Sequence, residues 1–190
     1  MSRFFSSFLR HPVAIGAVAP SSVHLAQEMV NWVNWNDVKV CVEFGPGTGA
    51  CTPTILNSMK EGTRFFAIEL NEDFAEIMTS TFPDVETINR SVADIEEICE
   101  ERGVANIDCI ICGLPWAAFT ADLQHCLMKA VLSRMSDGGY FATFAYLQGA
   151  ILPAGIRFKK LLHESFGDVR QSRTVWRNLP PAFVYRCRKS

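Results

Sequence analysis

Residues 40–50, Val-Cys-Val-Glu-Phe-Gly-Pro-Gly-Thr-Gly-Ala, constrain this chain more than any other stretch. A Val-rich apolar run ends in an acid, passes into a turn with glycine at 45, 47 and 49, and enters residues able to open a helix. That order predicts a strand, a tight loop and a helix N-terminus. The glycines admit positive φ and leave no side chain between the backbone and a ligand. The helix start adds N–H groups that lack intrahelical partners. The loop is built for something to approach its backbone closely. It is not the dinucleotide fingerprint, because G-x-G-x-G stands where G-x-G-x-x-G is required.

A second buried-strand run, Phe-Phe-Ala-Ile-Glu-Leu at 65–70, ends in Glu69, 20 residues beyond Gly49. This is the spacing of a carboxylate that receives ribose hydroxyls. Buried strands commonly end in polar residues, so each of Glu43 and Glu69 alone has an ordinary explanation. Two independent spacings that agree favour a ligand. Together, E-x-G-x-G-x-G and the acid after the second strand resemble the first motifs of Rossmann-like S-adenosylmethionine-dependent methyltransferases.

At 190 residues the chain has the length of one domain with a sizeable core. Nearly half the residues are apolar, yet no run is long enough to span a bilayer, so a soluble or peripheral protein is expected. Net charge is −2, unevenly spread. Residues 157–190 hold nine Lys/Arg against two acids, and residues 1–27 hold two Arg and no acid. Basic ends on an acidic middle suit a polyanionic surface, or simply a solvated face. Seven cysteines without regular spacing read as buried apolar side chains in a reducing cytoplasm. Cys41, Cys109 and Cys112 fall in strands, and Cys126 falls on an apolar helix face. Cys109-x-x-Cys112 has no second pair and lies within a strand, which disfavours zinc.

Along the chain, residues 2–10 separate Phe4, Phe5, Phe8 and Leu9 from Ser and Arg at helical spacing. That pattern suits an interfacial membrane helix or a helix packed on the core. A signal peptide cleaved after Ala17-Val18-Ala19 is disfavoured, since Arg10 and His11 break its apolar region. Ser21-Ser22 offers an N-cap for a helix to about Trp35. Strands are expected at 65–70, 85–89, 106–112, 140–146, 169–176 and 182–187, with helices between all but the last two, which form a hairpin joined by Asn178-Leu179-Pro180-Pro181. Asp94 opens a capping-box-like helix start. Leu123, Cys126, Leu127, Ala130 and Val131 share an amphipathic helix face, and Asp137-Gly138-Gly139 turns the chain into the fifth strand. The fourth strand runs into Gly113-Leu114-Pro115-Trp116, where amino methyltransferases often carry an Asn/Asp-Pro-Pro-aromatic motif. Gly113 removes the side-chain acceptor, and Trp116 keeps an aromatic face suited to an ammonium or to core packing.

Several stretches together resemble bacterial phospholipid N-methyltransferases of the peripheral type. They are residues 8–12 and 16–22, Val42–Gly49, Ala67–Asn71, Gly113–Trp116, Thr143–Tyr146 and Val175–Tyr185. The resemblance implies a class I methyltransferase fold spanning 1–190, with 1–27 as an amphipathic, substrate-side segment. It implies an α/β protein with a seven-stranded, mostly parallel sheet, a C-terminal antiparallel hairpin and helices on both faces. The implied cofactor is S-adenosyl-L-methionine, held by Glu43, Phe44, Gly45, Pro46, Gly47, Thr48, Gly49, Glu69 and Leu70, with Asp94 at the adenine. The implied acceptor is a phospholipid amine, phosphatidylethanolamine towards phosphatidylcholine, at Gly113, Trp116, Tyr146, Tyr185 and Arg177. Tyr146 would orient the amine or accept its proton, and Arg177 and Tyr185 would hold the lipid phosphate. Expected partners are the phospholipid and an anionic membrane surface, with neither nucleic acid nor metal, in a cytoplasmic, peripherally membrane-associated protein. Two other readings stay open: a methyltransferase for rRNA adenine or another small amine, and a cofactor-binding module without turnover.

Overall fold

The computed structural model describes residues 21–190; the expected amphipathic segment at 2–10 and the small apolar run at 12–20 lie outside the described residues. Ser22 caps the first helix as its sequence predicts, its hydroxyl accepting from Leu25 N–H at 3.2 Å. This helix, α1 (Val23–Val30), ends earlier than expected. The indole N–H groups of Trp32 and Trp35 donate to the carbonyls of Met29 and Val30, which a longer helix would have used itself.

Strands and helices then alternate: β1 (Val40–Phe44), α2 (Thr52–Ser58), β2 (Arg64–Ile68), α3 (Glu72–Thr81), β3 (Glu86–Ile88), α4 (Ile95–Glu101), β4 (Ile107–Cys112), α5 (Ala121–Arg134) and β5 (Met135–Tyr146). The chain continues through α6 (Leu147–Ala150), α7 (Pro153–Ser165), β6 (Asp168–Gln171) and β7 (Ala182–Arg188). One seven-stranded sheet has the order β3-β2-β1-β4-β5-β7-β6. The first five strands pair in parallel, and β7 runs antiparallel to both β5 and β6. The expected fold class is the observed one. Strand order reverses between β1 and β4, and the crevice beyond the carboxyl ends of strands at such a reversal is where ligands bind in open α/β sheets.

Both faces are covered, which explains the near-continuous apolar runs in β1, β2 and β4. On one face α4, α5 and α7 pack through Ile95, Ile98, Leu127, Val131 and Phe158. On the other, α1 and α2 pack through Leu25, Met29 and Ile55, and α3 contributes Met78. Alternation along β1 sends Val42 and Phe44 to the first face and Cys41 to the second.

Two boundaries differ from expectation. The fifth strand begins at Met135, before the expected turn: Ile107 pairs with Met135 and the next pair is Cys109 with Tyr140, so residues 136–139 bulge out of the ladder. Ser136 Oγ donating to Asp108 and Gly138 N–H donating to Lys189 O tie the bulge to the sheet. The sixth strand stops at Gln171 rather than Trp176, because Ser172 Oγ accepts the Val184 N–H and turns the chain away. A single bridge at Val175–Ala182 follows. Of the expected buried face of α5, Leu127, Ala130 and Val131 are buried and Leu123 is half-buried, whereas Cys126 is exposed and Gln124 is buried instead.

Candidate active site

The glycine loop leaves β1 with Gly45, Gly47 and Gly49 all at positive φ, +64°, +59° and +82°. Their surroundings differ. A Cβ at Gly49 would lie 2.4 Å from the Phe82 ring and 2.9 Å from Met78 Sδ, so that glycine lets α3 close over the loop. Among the described residues, nothing lies within 4 Å of a Cβ placed at Gly47; this part of the loop is open with respect to them. Gly45 N–H donates to Ile68 O at 2.9 Å and Gly49 N–H to Pro46 O at 3.0 Å. The loop is thereby fixed to β2 and to itself.

Two carboxylates stand behind it. Glu43 is 2% exposed, and Thr52 Oγ1 at the start of α2 donates to its Oε2 at 2.7 Å. Burial pushes the Glu43 carboxyl up to about 7; the Thr52 bond opposes the rise and the Glu69 charge adds to it. Glu69, just past β2, accepts from Gly47 N–H at 3.0 Å and from Asn71 N–H at 2.9 Å. Burial raises its pKa too, against those backbone bonds. Asn89 Nδ2 donates to the carbonyls of Glu69 and Leu70 and holds the strand end in place. Neither Glu43 nor Glu69 has a Lys or Arg partner among the described residues. Two buried carboxylates without a cation, beside an open glycine loop, form a site that fits a positively charged ligand.

Asp94 does not cap α4 with its side chain. Ser91 caps the preceding turn, and Asp94 instead lies 3.7 Å from Arg90. That ion pair competes with the cap.

On the β4 side, Gly113 N–H donates to Phe44 O at 2.7 Å. A Cβ on Gly113 would sit 2.5 Å from Gly45 O. The side chain missing at 113 is therefore excluded by the close approach of the two loops. Trp116 is 2% exposed; it stacks on Phe158 at 4.4 Å and meets Phe119 and Phe141 edge-on. Its indole N–H has no hydrogen-bond partner among the described residues. Gln124 Nε2 donates to Trp116 O at 2.7 Å and to Ala154 O at 3.0 Å, joining this loop to α7.

The sheet divides the expected acceptor residues. Tyr146 ends β5, half-buried on the face of α1, edge-on to Phe144. Burial raises its pKa, so it stays a phenol at neutral pH. Tyr185 lies on the opposite face within the core of Trp116 and Phe158, edge-on to Phe158 and Phe183. Burial pushes it up to about 12. Its side chain is core, not an open phosphate contact, which corrects the expected placement. Arg177 is exposed in the loop before β7. Cys109 and Cys112 also lie on opposite faces, so they cannot clamp one ion, and among the described residues no cluster with metal-ligand composition occurs.

Sequence reasoning missed Thr52, Asn89 and Gln124. Thr52 and Gln124 are buried polar residues and Asn89 is exposed; only the fold brings each to its partner.

No family model matches the chain. It is 29% identical over 188 residues to an ornithine lipid N-methyltransferase of Singulisphaera acidiphila, covering 97% of this chain and 94% of the relative. Its structure is similar to that of the O-methyltransferase TomG of Streptomyces achromogenes, solved with S-adenosylmethionine. There the TM-score is 0.69 at 16% identity, with coverage of 100% of this chain and 91% of that one. It is also similar to an O-methyltransferase of Bacillus cereus solved with S-adenosylhomocysteine, with TM-score 0.67, 14% identity and coverage of 98% and 88%. Strand order, antiparallel closure and these likenesses agree: the chain has the Rossmann-like class I methyltransferase fold.

Proposed function

We propose that this protein is an S-adenosylmethionine-dependent N-methyltransferase whose acceptor is the amine of a membrane lipid. The observation that carries the acceptor class is the similarity, over nearly both full lengths, to a lipid N-methyltransferase. The cofactor reading is supported by the two unpaired buried carboxylates beside the open Gly47 turn. Bound there, the cofactor supplies an electrophilic methyl on a sulfonium. Gly45–Gly49 give backbone contact, Glu69 receives ribose hydroxyls with the lone pairs its two N–H bonds leave free, Leu70 packs beside it, and Asp94 reaches the adenine amine. Glu43 and Thr52 form the polar floor.

The chain's contribution to transfer is positional. An aliphatic amine is nucleophilic once deprotonated, and alignment lowers most of the remaining barrier. Tyr146, on the face of the sheet that carries Glu43, holds the amine by its phenol rather than by taking its proton. Gly113 offers backbone carbonyls only. A nucleobase amine, planar and weakly nucleophilic, benefits from a side-chain amide that this position has no room for. Arg177 receives the lipid phosphate or carboxylate.

Two measurements test this. Calorimetry on Glu69→Ala should show S-adenosylmethionine affinity lower by roughly 1–3 kcal/mol; unchanged affinity in the folded variant removes Glu69 from the site. Labelled cofactor offered with phosphatidylethanolamine, ornithine lipid and RNA in separate reactions should label lipid. Labelling of RNA alone overturns the lipid reading, and the two lipid arms decide the headgroup.

A further inference from the structure

Seven large apolar side chains are exposed among the described residues, and five of them, Ile151, Leu152, Ile156, Trp176 and Leu179, belong to two segments at one end of the sheet. Ile151, Trp176 and Leu179 are 76%, 74% and 77% exposed. The first segment is the corner between α6 and α7. A Cβ on Gly155 would lie 2.2 Å from Gly149 O, so the two helices meet too tightly for any side chain, and Ile151 and Leu152 form the tip. The second is the loop before β7, held by the buried Asn178. Its amide donates to Pro180 O at 2.7 Å and its Oδ1 accepts from Ser22 N–H at 2.8 Å. The segments are joined where Leu147 N–H donates to Pro181 O at 3.0 Å, beside the Tyr146–Ala182 pair that ends β5. Both therefore stand at the carboxyl end of β5, next to Tyr146.

Cations accompany them. Arg157 follows Ile156, and Arg173 and Arg177 flank Trp176; none of the three has a carboxylate partner among the described residues. Elsewhere Arg90, Arg102, Arg134 and Arg186 all pair with glutamates. Exposed aliphatic tips, an amphipathic indole and unpaired arginines are the chemistry of a surface that sits at the interface of an anionic bilayer.

We infer that this rim, Ile151–Ile156 with Trp176–Leu179, docks the protein on an anionic lipid surface with the Tyr146 end of the site facing the headgroups. The inference rests on the proposed lipid acceptor for its purpose, and on exposure and charge for its location. It is independent of residues 2–10.

The full chain is mixed with vesicles of equimolar phosphatidylglycerol and phosphatidylcholine, and with pure phosphatidylcholine vesicles, at low and high salt. Cosedimentation should occur on the anionic vesicles and fall with salt. Of the four tryptophans, Trp176 is the exposed one, so emission should shift blue on binding and Trp176→Phe should abolish the shift. The double substitution Ile151→Ser/Ile156→Ser should weaken vesicle binding by about tenfold or more. Binding equal to that of the unmodified chain overturns the inference. So does cosedimentation without an emission shift, which needs no variant to fold, and so does a rim that buries itself by self-association, read by light scattering. Methylation of an amine lipid dispersed below its micelle concentration reads the acceptor alone. Its absence with rim-dependent docking intact rejects the acceptor, whereas its presence with rim-independent docking rejects the rim.

Discussion

The half of the candidate site built by β1 and β2 and the half built by β4, β5 and β7 treat their conspicuous residues in opposite ways. In the first, Glu43 and Glu69 are drawn into the interior with fewer partners than two carboxylates can use, beside a loop left open at Gly47. In the second, the conspicuous aromatics Trp116 and Tyr185 are packed into the core under α7, and only Tyr146 shares the face of the carboxylates. One half stores unmet polarity for a ligand; the other uses its large side chains to fix the loop's position. Under the proposed function, the acceptor would meet backbone, Tyr146 and the rim more than an aromatic wall.

The strongest way to break this contrast is Trp116→Ala. If the ring is core, its loss should cost about 3–5 kcal/mol of stability, seen as an earlier midpoint in chemical denaturation, with Trp116→Phe recovering much of it. A variant that unfolds like the unmodified protein yet turns over slowly would return Trp116 to the acceptor.

Next in size is Gly113→Ala. The added Cβ meets a carbonyl oxygen of the glycine loop, and moving backbone there should cost about 2–3 kcal/mol. It should also weaken the cofactor, since Gly45 must shift. Thermal melts with and without S-adenosylmethionine would read both. An unchanged melt would show that the β4 loop is free to withdraw and that the two halves are not locked together.

This division was half legible in the chain. Gly45–Gly49 and Glu69 could be read because strand length and glycine geometry act within a few residues. Ser22 announced its helix for the same reason. The sides of Trp116 and Tyr185 could not be read, because they depend on register: Tyr146 pairs with Ala182, which puts Tyr185, three residues on, through the sheet to the other face. Gly113 looked like a lost acceptor until the Gly45 carbonyl stood beside it. The rim likewise needs two segments joined by Leu147 and Pro181, distant in sequence.

The smallest effect, and the one that sharpens the contrast most, is the pH response of Glu43. Its carboxyl is raised from 4.5 to about 7 by burial, so the folded chain holds the proton more tightly than the unfolded chain does. The stabilisation is complete below the unfolded value and is lost as pH rises through about 7. Between about pH 6 and pH 8.5 the protein without ligand should lose roughly 1–2 kcal/mol from this group, with Glu69 adding in the same direction. Glu43→Gln keeps an acceptor for Thr52 and cannot ionise, so its melting temperature should fall less over that range. A bound sulfonium favours the carboxylate, so saturating S-adenosylmethionine should flatten the slope of the unmodified protein and leave the variant's almost unchanged. If the slopes of the two proteins coincide without ligand, Glu43 is ionised in the resting fold, and the unmet polarity of the β1–β2 half belongs to Glu69 alone.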